Sequence, residues 1–194
     1  MPAPLVRLKV TLDDVEPPVM RRVVVPFRIR FNRLHEVLQA AFGWTDSHLY
    51  EFCIRDVGFG IPDGSIDDPV DARRATLLSA IEDIGARSFK YLYDFGDGWT
   101  HTVKIEKTFP VIADFTDPVL LDVVGRCPPE DVGGPWGYEE FRQALADKNH
   151  ERHDELSEWW GSSNYDPSET RADDLRRDVD ALAAKWKLRS RKKS

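Results

Sequence analysis

Cysteine is scarce: the 194 residues hold two, Cys53 and Cys127, 74 positions apart. Neither belongs to a C-x-x-C pair, so a zinc knuckle or a disulfide scaffold is not indicated. Long apolar runs are missing as well. Nothing approaches the ~18 consecutive apolar residues needed to cross a bilayer. Met1-Pro-Ala-Pro passes straight into an alternating pattern without a signal peptide's apolar stretch. The expectation is a soluble, cytoplasmic protein with reduced thiols and no membrane partner. No internal repeat appears.

Basic residues are outnumbered, 27 Lys and Arg against 34 Asp and Glu, and their distribution is uneven. Residues 185–194 carry six Lys or Arg and no acid, leaving the first 184 with a net charge of −13. An acidic body repels polyanions while a short basic tail attracts them. The chain therefore reads as a single domain over 1–184 followed by a basic tail over 185–194. Nucleic acid, if bound, would be held by that tail.

What is present is an alternation of strand and helix patterns, with 41% hydrophobic residues to fill one core. Val6, Leu8, Val10 and Leu12 point one way and Arg7, Lys9 and Thr11 the other, as in a half-buried strand. Met20 to Val25 reads as its antiparallel partner. Asn32 is placed to cap a helix whose apolar stripe is Leu34, Val37, Leu38, Ala41 and Phe42, with Gly43 as its stop. A third strand spans about His48 to Ile54. Residues 56–75, rich in Gly, Pro and Asp, read as a loop, and a short helix is expected near Leu77 to Ile84.

Phe89, Tyr91, Tyr93 and Phe95 alternate along one strand, and Trp99, His101, Val103 and Ile105 along the next. A three-residue Gly96-Asp97-Gly98 loop would set Phe95 opposite Trp99 and Tyr93 opposite His101, gathering every large aromatic on one face. Further on, a short strand is expected near Val119 to Val123. The 125–137 stretch is too rich in Gly and Pro for a helix or central strand. Tyr138, Phe141, Ala144 and Leu145 form a helical stripe, and a polar helix follows around His150 to Trp160. Asp166-Pro167-Ser168-Glu169 resembles a capping box. A last helix buries Leu175, Val179, Leu182 and Trp186. The fold class is α+β, a mainly antiparallel sheet with helices packed on one face.

Three stretches carry a resemblance: Phe42-Gly43-Trp44-Thr45-Asp46-Ser47-His48-Leu49-Tyr50-Glu51-Phe52, Tyr93-Asp94-Phe95-Gly96-Asp97-Gly98-Trp99-Thr100-His101, and Cys127-Pro128-Pro129-Glu130-Asp131-Val132-Gly133-Gly134-Pro135-Trp136-Gly137-Tyr138. Their order and spacing resemble the plasmid pRiA ORF-three-like family, also called insertion-element passenger TnpR-type proteins. The resemblance spans roughly 5–170 and implies an accessory protein associated with mobile elements. It does not imply resolvase activity, because no serine-recombinase nucleophile region and no basic helix-turn-helix is present. Family members often carry Cys where this chain has Val132 and a further Cys upstream. A thiolate metal site is therefore not expected with Cys127 alone.

Those stretches gather His48, Glu51, Asp94, Asp97, His101, Glu130 and Asp131. Imidazoles and carboxylates are the donors that a metal-dependent hydrolase requires. For such a divalent-metal site the candidates are His48, Asp97, His101, Glu130 and Asp131. Each also has a plain structural role: Asp97 between glycines suits a turn, and Glu130-Asp131 can cap the helix at Tyr138. Gly133-Gly134 before a helix can cradle an anion, and His150 and His153 stand three apart in a polar run. Trp44, Trp99 and Trp136 each lie beside or near a glycine and form either a lid on the core or a platform for a ligand.

The leading expectation is an interaction module that binds a protein or peptide in a groove lined by residues 44–51, 95–101 and 127–138, with no cofactor. Its surface would comprise Trp44, His48, Glu51, Asp94, Asp97, Trp99, His101, Glu130, Asp131, Trp136 and Tyr138. The acidic body favours a basic protein partner over a nucleic acid. The metal-dependent hydrolase and nucleic-acid binding through the tail are the alternatives, so whether the chain is an enzyme stays open.

Overall fold

The computed structural model describes residues 4–110 and 117–191. Eight strands among them form one sheet: β1 (Leu5–Leu12), β2 (Met20–Pro26), β3 (Tyr50–Ile54), β4 (Val57–Gly60), β5 (Val70–Asp71), β6 (Ser88–Tyr93), β7 (Trp99–Phe109) and β8 (Val119–Val124). Their spatial order is β5-β4-β3-β6-β7-β1-β2-β8. Every pairing is antiparallel except β4 with β5. Five helices accompany them: α1 (Phe31–Phe42), α2 (Leu77–Ile84), α3 (Gly134–Ala146), α4 (His153–Trp160) and α5 (Ala172–Arg191). The architecture is α+β, and no described helix is long and apolar enough to cross a membrane.

Alternation in β1 decides which face is the core. Val6, Leu8, Val10 and Leu12 are buried, and opposite them stand Val25, Val23 and Arg21 on β2 and Val103 and His101 on β7. The same face continues through Tyr91, Phe89 and Phe52 and is covered by Phe31, Leu34, Val37, Leu38, Ala41 and Phe42 of α1. The other face is polar, with Arg7 and Arg22 both paired to Glu106. Such segregation follows from the two-residue side-chain period of a strand.

Several expectations are corrected. Asn32 does not cap α1; Arg30 stands at the N-cap without a side-chain bond, and Asn32 is the helix's second residue. The 56–75 segment holds β4 and β5, because β3 supplies a pairing edge that overrides the low strand propensity of its glycines. α3 begins at Gly134, inside the Gly- and Pro-rich stretch, with Pro135 in its first turn where the missing N–H costs nothing. Asp166 does not open a helix. Its carboxylate accepts from the Ser168 N–H and hydroxyl in a local turn, and α5 starts at Ala172.

The aromatic hairpin is also re-registered. Tyr93, not Phe95, stands opposite Trp99, and Tyr91 opposite His101. Asp94 adopts a left-handed φ of 57°, and its Oδ1 accepts from the N–H groups of Gly96 and Asp97. The strand therefore ends two residues earlier than alternation suggests, at Tyr93. A two-residue shift preserves facing, so Tyr91, Tyr93, Trp99 and His101 stay buried while Phe95 is left 53% exposed.

α5 continues past residue 184. Trp186 packs under the Arg33 guanidinium at 4.7 Å and donates its indole N–H to Glu36 at 2.6 Å. Lys185 and Trp186 thus belong to the folded helix.

Candidate functional site

The three stretches converge. The Trp44 indole N–H donates to Pro128 O (3.1 Å), and Glu130 reaches back to accept from the Thr45 backbone N–H (3.0 Å) and hydroxyl (2.5 Å). Its other oxygen accepts from the Tyr93 hydroxyl (2.5 Å), which itself accepts from the Ser47 N–H. One half-buried carboxylate thereby stitches the α1–β3 loop to the hairpin and to the 127–132 segment. Burial, and then the Glu130 carboxylate, push the Tyr93 hydroxyl above its ordinary range. Glu130 is a structural acceptor rather than a helix cap.

Asp97 is committed too. Its Oδ2 accepts from the Gly133 N–H at 3.2 Å, so the anion position at the start of α3 is filled by the protein's own carboxylate. Beside it, His48 Nε2 lies 3.2 Å from Asp131 Oδ1 and 3.6 Å from Asp94 Oδ2. Asp94 is 7% exposed, and Asp131 is on the surface at φ 60°. This trio holds three of the seven gathered residues. His101 is in the core, edge-on to Phe42 and Trp44. Glu51 stands on the opposite side of β3, with its carboxylate over Gly58. His150 and His153 are occupied separately, by the Arg152 N–H and by Ala144 O.

The tryptophans divide. Trp99 is fully buried and Trp44 is 8% exposed, while Trp136 is 89% exposed. Tyr138 is buried, its hydroxyl 3.2 Å from that of Tyr165. Sequence reading missed Thr45, Ser47 and the Tyr93 hydroxyl as partners of Glu130; the only hint was the polar Thr45-Asp46-Ser47 run. It also missed the buried chain in which the Gln39 amide and His35 Nδ1 meet at the Tyr91 hydroxyl while His35 Nε2–H donates to Asp46.

His101 sets a pH dependence. Its Nδ1–H donates to Tyr91 O at 3.1 Å, Nε2 has no partner, and burial pushes its pKa down to about 4. In the unfolded chain a histidine titrates near 6.5. As pH falls through 6.5 the unfolded state takes the proton first, so stability drops until about pH 4, by roughly 3 kcal/mol for this one group. His35, also lowered by burial, acts in the same direction. Urea midpoints between pH 7.5 and 4.5 should fall steeply, and His101→Gln should flatten that slope. An unchanged slope in the variant would assign it elsewhere.

The family model for plasmid pRiA4b ORF-3-like protein matches residues 4–174, and the chain belongs to that family. It is 65% identical over 195 residues to the uncharacterized protein y4hQ of Sinorhizobium fredii, covering all of both chains. It is similar to the crystal structure of the protein of unknown function MM3350 from Methanosarcina mazei Go1. That likeness has a TM-score of 0.74 and 30% identity over 87% of this chain and 95% of that one.

Proposed function

We propose that this chain is an interaction module whose partner is a cationic protein segment, received beside Trp136 at the rim of the converging loops. The exposure of that indole carries the reading. Trp136 lies in the first turn of α3, a position held by backbone contacts at Gly134 and Gly137, so the ring is presented on a rigid mount. An open cavity of about 610 Å³ adjoins it, floored by Val15 and Tyr138 and edged by Asp14, Glu16 and Glu139. Asp14 and Glu16 are exposed, and neither has an ion pair among the described residues. An indole beside unpaired carboxylates suits an Arg or Lys side chain, which stacks on the ring and pairs with the acids.

Phage selection of random peptides on the purified protein should enrich sequences that combine Arg or Lys with an apolar anchor. Trp136→Ala should weaken the enriched peptides by roughly thirty-fold, the loss of a buried aromatic contact worth about 2 kcal/mol. Asp14→Asn with Glu16→Gln should weaken them further at low salt and little at high salt. Peptides that bind equally to the Trp136→Ala protein would refute this assignment.

A further inference from the structure

We propose that His48, Asp94 and Asp131 hold a single divalent transition-metal ion, a site independent of the docking surface above. The argument starts from an unmet bond. In a simple His–Asp pair the ring N–H points along its bond at a carboxylate oxygen. Here Nε2 of His48 is sealed from solvent and lies 3.2 and 3.6 Å from two carboxylates, yet makes a hydrogen bond to neither. Asp94 repeats the pattern. It is buried, its Oδ1 is spent on the Gly96 and Asp97 N–H groups, and Oδ2 faces His48 with no donor of its own. A solvent-sealed nitrogen and the second oxygen of a buried aspartate, neither of them hydrogen-bonded, leave one gap between them.

The distances fit an ion. Donors bound about 2.1 Å from a tetrahedral cation stand roughly 3.4 Å apart, and the His48 nitrogen is already 3.2 and 3.6 Å from its neighbours. All three donor atoms lie within 4.8 Å of one another, so rotation of the exposed Asp131 side chain completes the set. Two carboxylates supply the compensating charge. One imidazole with two carboxylates is a mixed nitrogen and oxygen set that suits Zn²⁺ or Mn²⁺ better than the all-oxygen cages of Ca²⁺. Three protein ligands leave a coordination position open. Asp94 comes from the hairpin, Asp131 from the segment before α3 and His48 from the loop before β3, so the ion would tie together the same three stretches that Glu130 stitches from below.

Calorimetric titration of the untagged, chelator-stripped full chain with ZnCl₂ or MnCl₂ tests this. One equivalent should bind. His48→Ala, at a half-buried position, and Asp131→Asn, on the surface, should each weaken binding roughly ten- to hundred-fold, while Glu82→Gln, exposed on α2, leaves it unchanged. Asp94 also shapes the turn, so replacing it would mix a folding defect with a lost ligand, and the two other ligands suffice. Absence of binding for both ions at millimolar concentration, or wild-type affinity in the His48 and Asp131 variants, would overturn the assignment. Peptide selection on the stripped protein reports separately on the Trp136 surface.

Discussion

Arg21→Met is expected to lower the free energy of unfolding by about 3–5 kcal/mol, because it strips several buried carbonyls of their donor at once. Arg21 is fully buried on β2, on the core face. Its Nε donates to Ala41 O at 2.7 Å, and one Nη donates to Met20 O, Val124 O and Gly125 O at 2.8, 2.8 and 3.1 Å. The guanidinium lies 5.0 Å from the centre of the Phe42 ring. No carboxylate pairs with it among the described residues, so it is a cation satisfied by carbonyls alone, its pKa lowered by burial. A thioether of similar length would fill the space and leave the end of α1 and the end of β8 with unpaired acceptors. Arg21→Lys keeps the charge but presents a compact ammonium that does not fork across four oxygens, and should recover only part of the loss. Urea unfolding at pH 7.5 measures both. A loss under about 1 kcal/mol for Arg21→Met would mean that water replaces the guanidinium without strain.

That arginine shows where sequence reading stops. The alternation that buries Val23 and Val25 buries residue 21 by the same parity, so its facing was legible. Its partners were not, because they are carbonyls 20 and more than 100 residues away. The apolar stripes of α1, α3 and α5 could be read for the same reason as β1: a helix or strand with one wet face records its period in the sequence. Boundaries failed where a side chain competes with the backbone. Asp94 turns the hairpin early by accepting two N–H groups, and Asp166 spends its carboxylate on Ser168 instead of a helix. The site was half legible. Its three segments could be grouped, but only coordinates separate the carboxylates that stitch, Glu130 and Asp97, from those that face His48.

Gly134→Ala is expected to cost about 3–5 kcal/mol, because two penalties coincide at one atom. The residue has φ +70°, where a side chain costs roughly 1–3 kcal/mol. Its Cβ would also stand 2.2 Å from Asp97 O, a backbone atom that cannot swing aside. Two neighbours separate these terms. Gly85 has φ +73° with nothing near its missing Cβ, so Gly85→Ala reads the strain alone, about 1 kcal/mol. Gly137 is helical, and its Cβ would meet Val132 O at 2.0 Å, so Gly137→Ala reads the overlap alone. Gly134→Ala should approach the sum of the other two in urea unfolding. It should also move the hairpin turn away from the start of α3, since Gly133 N–H and Asp97 are hydrogen-bonded across that same junction. Asp94 precedes this contact on one side and Asp131 on the other, so the variant should weaken Zn²⁺ or Mn²⁺ binding although it removes no ligand. Gly85→Ala, at the far end of α2, should leave that binding intact. Equal metal affinity in both variants would show that the junction does not position the two carboxylates.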